Sequence, residues 1–189
     1  MAPTNGEARY VIDPAASQFA VQAFASGLGA AVSHSPKIAI RSWTGEIKMA
    51  ADATGKSSLQ VRVKAAAMEV LDEMRESDRR EIHRIMKSEV LETDQFPEMV
   101  YESAEVKIEQ QKENLYRVLL GGTLGLHGIS NHHEFAAQVA LGPDTLRAYG
   151  NFSLRQTDYN IRIASIAGGT LRLQDELKFS FYVVARRHG

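Results

Sequence analysis

Apolar and polar residues alternate along most of the chain, and the alternation is clearest near its C-terminal end. From 171 to 183 the odd positions carry leucine, phenylalanine or valine and the even positions mostly polar side chains; only Asp175 interrupts the apolar row. The segments 59–65 and 146–154 follow the same period of two. Successive side chains of a strand point to opposite faces, so this period is typical of antiparallel strands that bury one face.

The pattern predicts eight strands separated by short turns. Turn-forming residues mark the boundaries at 52–55, 111–114, 128–131 and 142–144. The predicted strands are 9–24, 36–50, 57–70, 98–109, 114–127, 132–141, 144–155 and 170–186. We expect a single domain over 1–189, because 189 residues suffice for one substantial core and fall short of two.

One segment, 77–91, has helical spacing instead. Four apolar side chains recur there at intervals of three and four residues: Ile82, Ile85, Met86 and Val90. Ser77 is suited to cap the first turn, and Pro97 stops any continuation of the helix. We interpret the segment as a helix that closes one end of a sheet. A helix that binds a partner protein is the alternative.

Eight strands with one inserted helix predict an all-β sandwich or a closed barrel. Closure removes the unpaired edges of a sheet, and eight strands leave room inside for side chains or one small ligand. A net charge of −1 gives no basic surface for nucleic acid, and no apolar run is long enough for a membrane span. The absence of cysteine excludes disulfides, thiolate catalysis and cysteine–zinc sites.

The N-terminal residues lack the basic segment followed by an apolar run that a signal peptide carries. We therefore expect a cytoplasmic protein, or a periplasmic one if a signal has been removed. A homodimer stays open, since exposed strands and the helix offer surfaces for an interface.

Six phrases, in order along the chain, together resemble the YceI-like family of polyisoprenoid-binding proteins. They are YVID at 10–13 with SQF at 17–19, WTGEI at 43–47, FPEMVYES at 96–103, TLGLHGIS at 123–130, FSLRQTDYNI at 152–161 and DELKFSF at 175–181. Two positions depart from the family pattern: Gly125 replaces a threonine, and Asn160 stands where glycine is common. Asparagine also tolerates a positive φ, so the second change is mild.

The resemblance implies an eight-stranded antiparallel lipocalin-like β-barrel that holds a polyisoprenoid, an isoprenoid quinone or a fatty amphiphile. The residues expected to line its interior are Phe19, Val21, Ile38, Ile40, Trp43, Leu124, Leu126, Phe152, Leu154, Phe179 and Phe181. A packed core has the same pattern as a pocket lining. If there is a pocket, it favours long chains, because each buried methylene contributes about 0.8 kcal/mol.

Three polar residues are predicted to meet the head of such a ligand. His34 falls in the loop between the first two strands, where the mouth of a barrel would lie. Arg41 and Arg155 are placed to hold a phosphate or a quinone-like oxygen at the rim. An exposed loop histidine and ordinary ion pairs, such as Arg155 with Asp158, are the alternatives.

Three histidines lie in one predicted hairpin. With 128–131 as its turn, Leu126 pairs with His133, and His127 pairs with His132 at roughly 4.5–5.5 Å between Cβ atoms. His133 then points to the same face as the apolar row of the strand. His127, His132 and Glu134 are the only metal-ligand set that this register suggests, and zinc sites want three or four well-placed ligands. We predict structural or solvent-facing histidines and no cofactor other than a bound isoprenoid or quinone.

The functional prediction is lipid binding and transport without catalysis. The sequence carries no nucleophile–base motif, P-loop or Rossmann glycine pattern. The alternative is a metal- or histidine-assisted enzyme that acts on an apolar substrate, using His34, Arg41, His127 or His132 around the cavity.

Overall fold

The segments with a period of two form strands in the structure, a computed structural model that describes residues 8–26, 35–50, 56–166 and 171–188. The strands are β1 Ala8–Ile12, β2 Gln18–Ser26, β3 Lys37–Ile40, β4 Trp43–Met49, β5 Ser58–Lys64, β6 Met68–Val70, β7 Glu98–Lys112, β8 Leu115–Leu126, β9 Ile129–Leu141, β10 Thr145–Arg155, β11 Ser165–Ile166 and β12 Leu171–His188. The helix α1 spans Glu76–Ile85 and continues as a π-helical turn, Met86–Val90. A 3-10 turn, Gln156–Tyr159, follows β10.

Eight of these strands close into an antiparallel barrel. The order around the barrel is β1, β4, β5, β7, β8, β9, β10 and β12, and β12 pairs back with β1 to complete the ring. The predicted eight-stranded barrel with one helix is confirmed. Closure pairs each barrel strand on both sides over at least part of its length, although β7 beyond Glu102 pairs only with β8.

The first three predicted strands are each broken in two. One half of each, β1, β4 and β5, belongs to the closed ring of eight strands. The other halves, β2, β3 and β6, continue the same sheet from β12, and we call them the extension. At the first break Asp13 accepts hydrogen bonds from the backbone N–H groups of Ala15 and Ala16, a turn that competes with strand geometry. The long strand β12 pairs with both parts of the first predicted strand, with β2 over 172–182 and with β1 over 185–188.

The helix packs over one end of the barrel, as predicted. Ile82 and Met86 contact a small core of Val21, Ile38 and Val70. Its start differs from the prediction: the N-cap position is Arg75, without a side-chain hydrogen bond, and the Ser77 hydroxyl donates to Asp78 instead. We call the end of the barrel that the helix covers the helix end. The opposite end, which carries the turns 113–114 and 142–144, is the turn end.

The β8–β9 hairpin has a tighter turn than predicted. Leu126 pairs with Ile129 and Gly122 with His133, so the turn is His127–Gly128 and the predicted pairs Leu126–His133 and His127–His132 are wrong. Both turn residues have positive φ, 52° and 75°, which matches the twist of a two-residue hairpin. A Cβ on Gly128 would lie 2.7 Å from the Phe96 ring. The predicted and observed loops are both even, so the same side chains face inward.

Candidate functional site

A cavity of about 270 Å³ lies among the inward-facing side chains of the barrel. Nine of the predicted interior residues line it: Phe19, Ile40, Trp43, Leu124, Leu126, Phe152, Leu154, Phe179 and Phe181. Val21 and Ile38 do not, although Phe19 and Ile40 on the same strands do; they pack with Val70 beneath the helix instead. The barrel interior is therefore only partly filled by its own side chains.

The lining runs the length of the barrel. On β8 alone it extends from Tyr116 near the turn end to Leu126 at the helix end, roughly 33 Å of extended chain. Lys48, Ser57 and Ser58 bring polar groups to the lining at the turn end. Between these points the wall is almost entirely apolar, which suits a long flexible chain better than a compact polar metabolite.

Aromatic rings form the wall at the middle of the cavity. The rings of Phe152 and Phe179 stack at 4.8 Å, and Phe19 meets the edge of Trp43 at 5.7 Å. Phe135, which sequence reasoning did not single out, touches both Phe152 and Phe181. Such rings offer broad apolar faces while losing little rotamer freedom.

Two polar side chains face this apolar wall, Tyr101 and His133. The Tyr101 hydroxyl donates a long hydrogen bond of 3.5 Å to the His133 carbonyl, and burial, with the nearby Glu134 carboxylate, raises the pKa of Tyr101 to about 12. The Nε2 atom of His133 is buried and has no hydrogen-bond partner. Burial, and then the neighbouring His132, lower the pKa of His133, which favours the neutral imidazole.

Sequence reasoning placed His133 on the inward face but missed it as a site residue. The available signal was a single histidine in the otherwise apolar inward row of β9, which includes Phe135, Ala137 and Val139. A polar group at such a position needs a partner, because burying it unpaired is costly.

His127 serves a different purpose from the predicted one. Its Nε2 atom lies 2.8 Å from the Glu92 carboxylate, its Nδ1 atom 3.1 Å from the Tyr159 carbonyl, and its ring packs on Phe96. The side chain is 8% exposed. These contacts tie the hairpin turn to the segment that leaves the helix and to the 3-10 turn, so His127 stabilises the helix end.

His132 and Arg41, two other predicted polar residues, lie outside the cavity lining. His132 is on the outer surface, 67% exposed, with Nε2 at 3.3 Å from Glu134. Arg41 donates to the carboxylate of Glu69 on β6, the last strand of the extension. His34 lies outside the described residues.

Arg155 points outward and is 70% exposed. It lies 3.3 Å from Asp175, so the predicted pair with Asp158 is wrong. Asp175 also accepts two hydrogen bonds from Thr157, which anchor the 3-10 turn to β12. Burial alone would raise the pKa of Asp175, but the hydrogen bonds from Thr157 and the charge of Arg155 outweigh it and lower the pKa.

Within the part of the chain that the structure describes, no three histidine, aspartate or glutamate side chains lie close enough to hold a metal ion. In particular His127 and His132 do not meet, because the turn of the hairpin falls between them and only His132 lies in the ladder. No helix in the described ranges is both long and apolar enough to cross a membrane.

A family model described as the YceI-like domain matches residues 10–185. A search of curated protein sequences finds no match. The family match covers nearly the whole chain and includes the β8–β9 hairpin and every strand that lines the cavity.

Solved structures share the fold at low sequence identity. Burkholderia cenocepacia BcnA is 15% identical, with a TM-score of 0.68 over 92% of this chain and 98% of that one. A polyisoprenoid binding domain from Saccharophagus degradans, implicated in plant cell wall breakdown, is 14% identical, with a TM-score of 0.68 over 95% and 98%. The Campylobacter jejuni YCEI protein is 15% identical, with a TM-score of 0.59 over 80% and 85%. At this level of sequence identity, the similarities show a shared fold and do not by themselves assign a function.

Proposed function

Since the chain belongs to the YceI-like family, we propose that its barrel binds one long-chain apolar or amphiphilic molecule and sequesters or carries it without catalysis. A polyisoprenoid, an isoprenoid quinone or a fatty amphiphile is the ligand class. The observation that carries the proposal is the apolar cavity inside the barrel, whose lining includes residues from both of its ends. The Saccharophagus degradans relative is described as a polyisoprenoid binding domain, which agrees with this ligand class.

The energetics of the cavity favour a long ligand. Each buried methylene contributes about 0.8 kcal/mol, so ten of them supply about 8 kcal/mol before the cost of ordering the chain. That gross value corresponds to a dissociation constant of about 1 μM. Short chains leave part of the apolar lining uncovered, and a chain that follows the lining from Tyr116 to Leu126 uses most of it.

The side chains considered for catalysis do not converge on the cavity. Arg41 is bound to Glu69, His127 is enclosed at the helix end and His132 faces solvent. The one described histidine that borders the cavity, His133, has no acidic or nucleophilic side chain hydrogen-bonded to its ring. A binding role therefore uses the geometry better than an acid–base reaction does.

The test is the lipid content of protein purified from its own host without detergent. We expect native mass spectrometry to show one long-chain molecule per chain, which solvent extraction then identifies. Ala137→Trp should abolish the bound mass, because Ala137 faces the cavity and an indole would fill its centre.

Ala136→Trp is the matched control, since the neighbouring side chain on the same strand points to the outer face. Thermal unfolding of both variants checks that each has folded. The proposal would be overturned if purified wild-type protein holds no lipid and also fails to bind added long-chain alcohol. Equal lipid in the two tryptophan variants would place the ligand elsewhere.

A further inference from the structure

Strands β9 and β10 separate towards the helix end of the barrel. Their ladder runs only from Leu141 opposite Leu146 to Ala137 opposite Gly150. On its other side β9 stays paired with β8 as far as Ile129, and β10 stays paired with β12 as far as Arg155. The stretches 129–136 and 151–155 therefore border each other without a shared ladder.

This separation leaves a window in the barrel wall. At one end Gly150 brings the two backbones close, since a Cβ there would lie 2.6 Å from the Ala136 carbonyl oxygen. At the other end the Asn131 side chain donates a hydrogen bond of 2.7 Å to the Asp158 carbonyl. We call the gap between these two points the β9–β10 window.

A polar surface cleft lies beside the window and shares two lining residues with the cavity. The cleft is lined from β9 by Asn131, His132 and His133, and from the opposite side by Ser153, Leu154, Arg155, Asp158, Tyr159 and Glu176. His133 and Leu154 also line the cavity. These two side chains thus stand at the boundary between the apolar interior and the polar surface.

His133 is the polar group at this boundary. Its ring meets the edge of Phe152 at 5.1 Å, and its Nε2 atom is buried without a hydrogen-bond partner. Buried polar side-chain atoms in folded proteins nearly always have a partner, so an orphaned one calls for a specific explanation. A ligand atom that reaches the ring would supply the missing hydrogen bond.

We propose that the β9–β10 window holds the uncharged, oxygen-bearing head group of the ligand, hydrogen-bonded to the His133 imidazole, while the tail fills the cavity. This assignment rests on the proposed function and adds the position and chemistry of the head. A hydroxyl or a carbonyl suits the ring, because a neutral imidazole has one donor and one acceptor nitrogen.

The charges around the window argue against an anionic head. The cleft carries two carboxylates, Asp158 and Glu176, and the guanidinium of Arg155 already lies 3.3 Å from the Asp175 carboxylate. His132 is engaged with Glu134. A carboxylate or phosphate in the cleft would face these two carboxylates, and the one guanidinium among the cleft's described lining residues already has an acidic partner.

The experiment compares three probes with the same tail: hexadecane, 1-hexadecanol and hexadecanoate at pH 8, each delivered from cyclodextrin. Trp43, the single tryptophan, lines the cavity and reports binding through its fluorescence. We expect wild-type protein to bind 1-hexadecanol more tightly than either hexadecane or hexadecanoate. His133→Leu should weaken 1-hexadecanol about tenfold, the worth of one buried hydrogen bond, and leave hexadecane unchanged or slightly tighter.

His188→Leu is the control, and it should change neither affinity because His188 is exposed at the end of β12 and lines neither the cavity nor the cleft. A His133→Leu variant that weakens both probes equally, or neither, overturns the head-group assignment. Hexadecanoate that binds as tightly as 1-hexadecanol overturns the uncharged head. Failure of every probe to bind the wild type overturns the proposed function itself.

A second measurement does not depend on the variant folding. In ¹⁵N-histidine-labelled wild-type protein, the imidazole nitrogen signals of His133 should shift on addition of 1-hexadecanol by more than on addition of hexadecane. Identical shifts with both probes would mean that the head does not touch the ring. The His127 and His188 signals provide internal references, since neither residue lines the cavity or the cleft.

Discussion

Two histidines of one hairpin, His127 at the helix end and His133 in the cavity wall, differ in how their ring nitrogens are paired. At the helix end both nitrogens of His127 have oxygen partners, Glu92 and the Tyr159 carbonyl. In the cavity wall, six residues further along the chain, His133 has a buried nitrogen without one. A satisfied polar group holds elements together, whereas an unsatisfied one beside a cavity points to a partner that comes from outside. Within one hairpin, His127 therefore stabilises the fold, whereas His133 is the residue proposed to bind the ligand.

The largest effect that tests this comparison is expected from His127→Ala. The change removes two hydrogen bonds, one of them to a carboxylate, and the packing of the ring on Phe96. We expect the free energy of unfolding to fall by about 3 kcal/mol, measured by urea denaturation. His127→Gln retains part of the hydrogen bonding, so its free energy of unfolding should fall by less. A loss under about 1 kcal/mol for the alanine variant would show that the helix end does not depend on His127.

A smaller loss is expected from Gly128→Ala in the adjacent turn position. The φ of 75° strains any side chain, and the added Cβ would lie 2.7 Å from the Phe96 ring. We expect about 1–2 kcal/mol of destabilisation by urea denaturation. Gly125→Ala is the control, because its Cβ would meet its nearest neighbour at 3.6 Å, an ordinary contact. Equal effects of the two alanines would contradict the turn geometry.

The cavity wall should respond with the opposite sign. His133→Leu removes a buried polar atom that has no partner in the empty protein, so the unfolding free energy of lipid-free protein should rise by about 1 kcal/mol. Equilibrium denaturation after delipidation measures the change. A loss comparable to that of His127→Ala would mean that His133 is structural and would erase the contrast between the two regions.

The smallest expected effect is a pH dependence that belongs to His133. Its pKa is lowered in the folded protein, first by burial and then by His132, from an ordinary value of 6.5. Below pH 6.5 the unfolded chain therefore binds more protons than the folded one, and stability falls as pH decreases towards the folded pKa. The stability advantage of His133→Leu over wild type should grow between pH 7.5 and pH 5.5, by less than about 1.4 kcal/mol per pH unit. A constant difference would show that the ring titrates normally.

The alternation of side chains predicted the barrel because it reports which face of a strand is buried, and a closed sheet buries only one face. It did not predict the breaks in the first three strands. At the first break the turn made by Asp13 interrupts the strand, while the residues on both sides keep the period of two. The alternation alone cannot distinguish polar residues in a turn at the surface from polar residues on the outer face of a continuous strand.

The site was partly predictable for a related reason. The apolar lining follows from alternation, so Phe152, Phe179 and their neighbours were expected in the interior. The window was not, because strand separation is a property of the ladder between β9 and β10 and leaves no mark in either strand alone. The hairpin register depended on His127 adopting a positive φ, which is uncommon for residues other than glycine, although histidine adopts it more often than most.

The seam between β1 and β12 also has a consequence for folding. The barrel closes only when Ile12 and its neighbours meet Ala185 and the strand around it, and these residues are nearly the whole chain apart. Pairings between such distant segments are slow to form, because the entropy of closing the loop is lost before the contacts are gained. The hairpins β7–β8 and β8–β9 can form early, but neither of them encloses the cavity. We therefore expect the cavity to come into existence only in the last step of folding, and until then its aromatic wall is exposed to the surroundings.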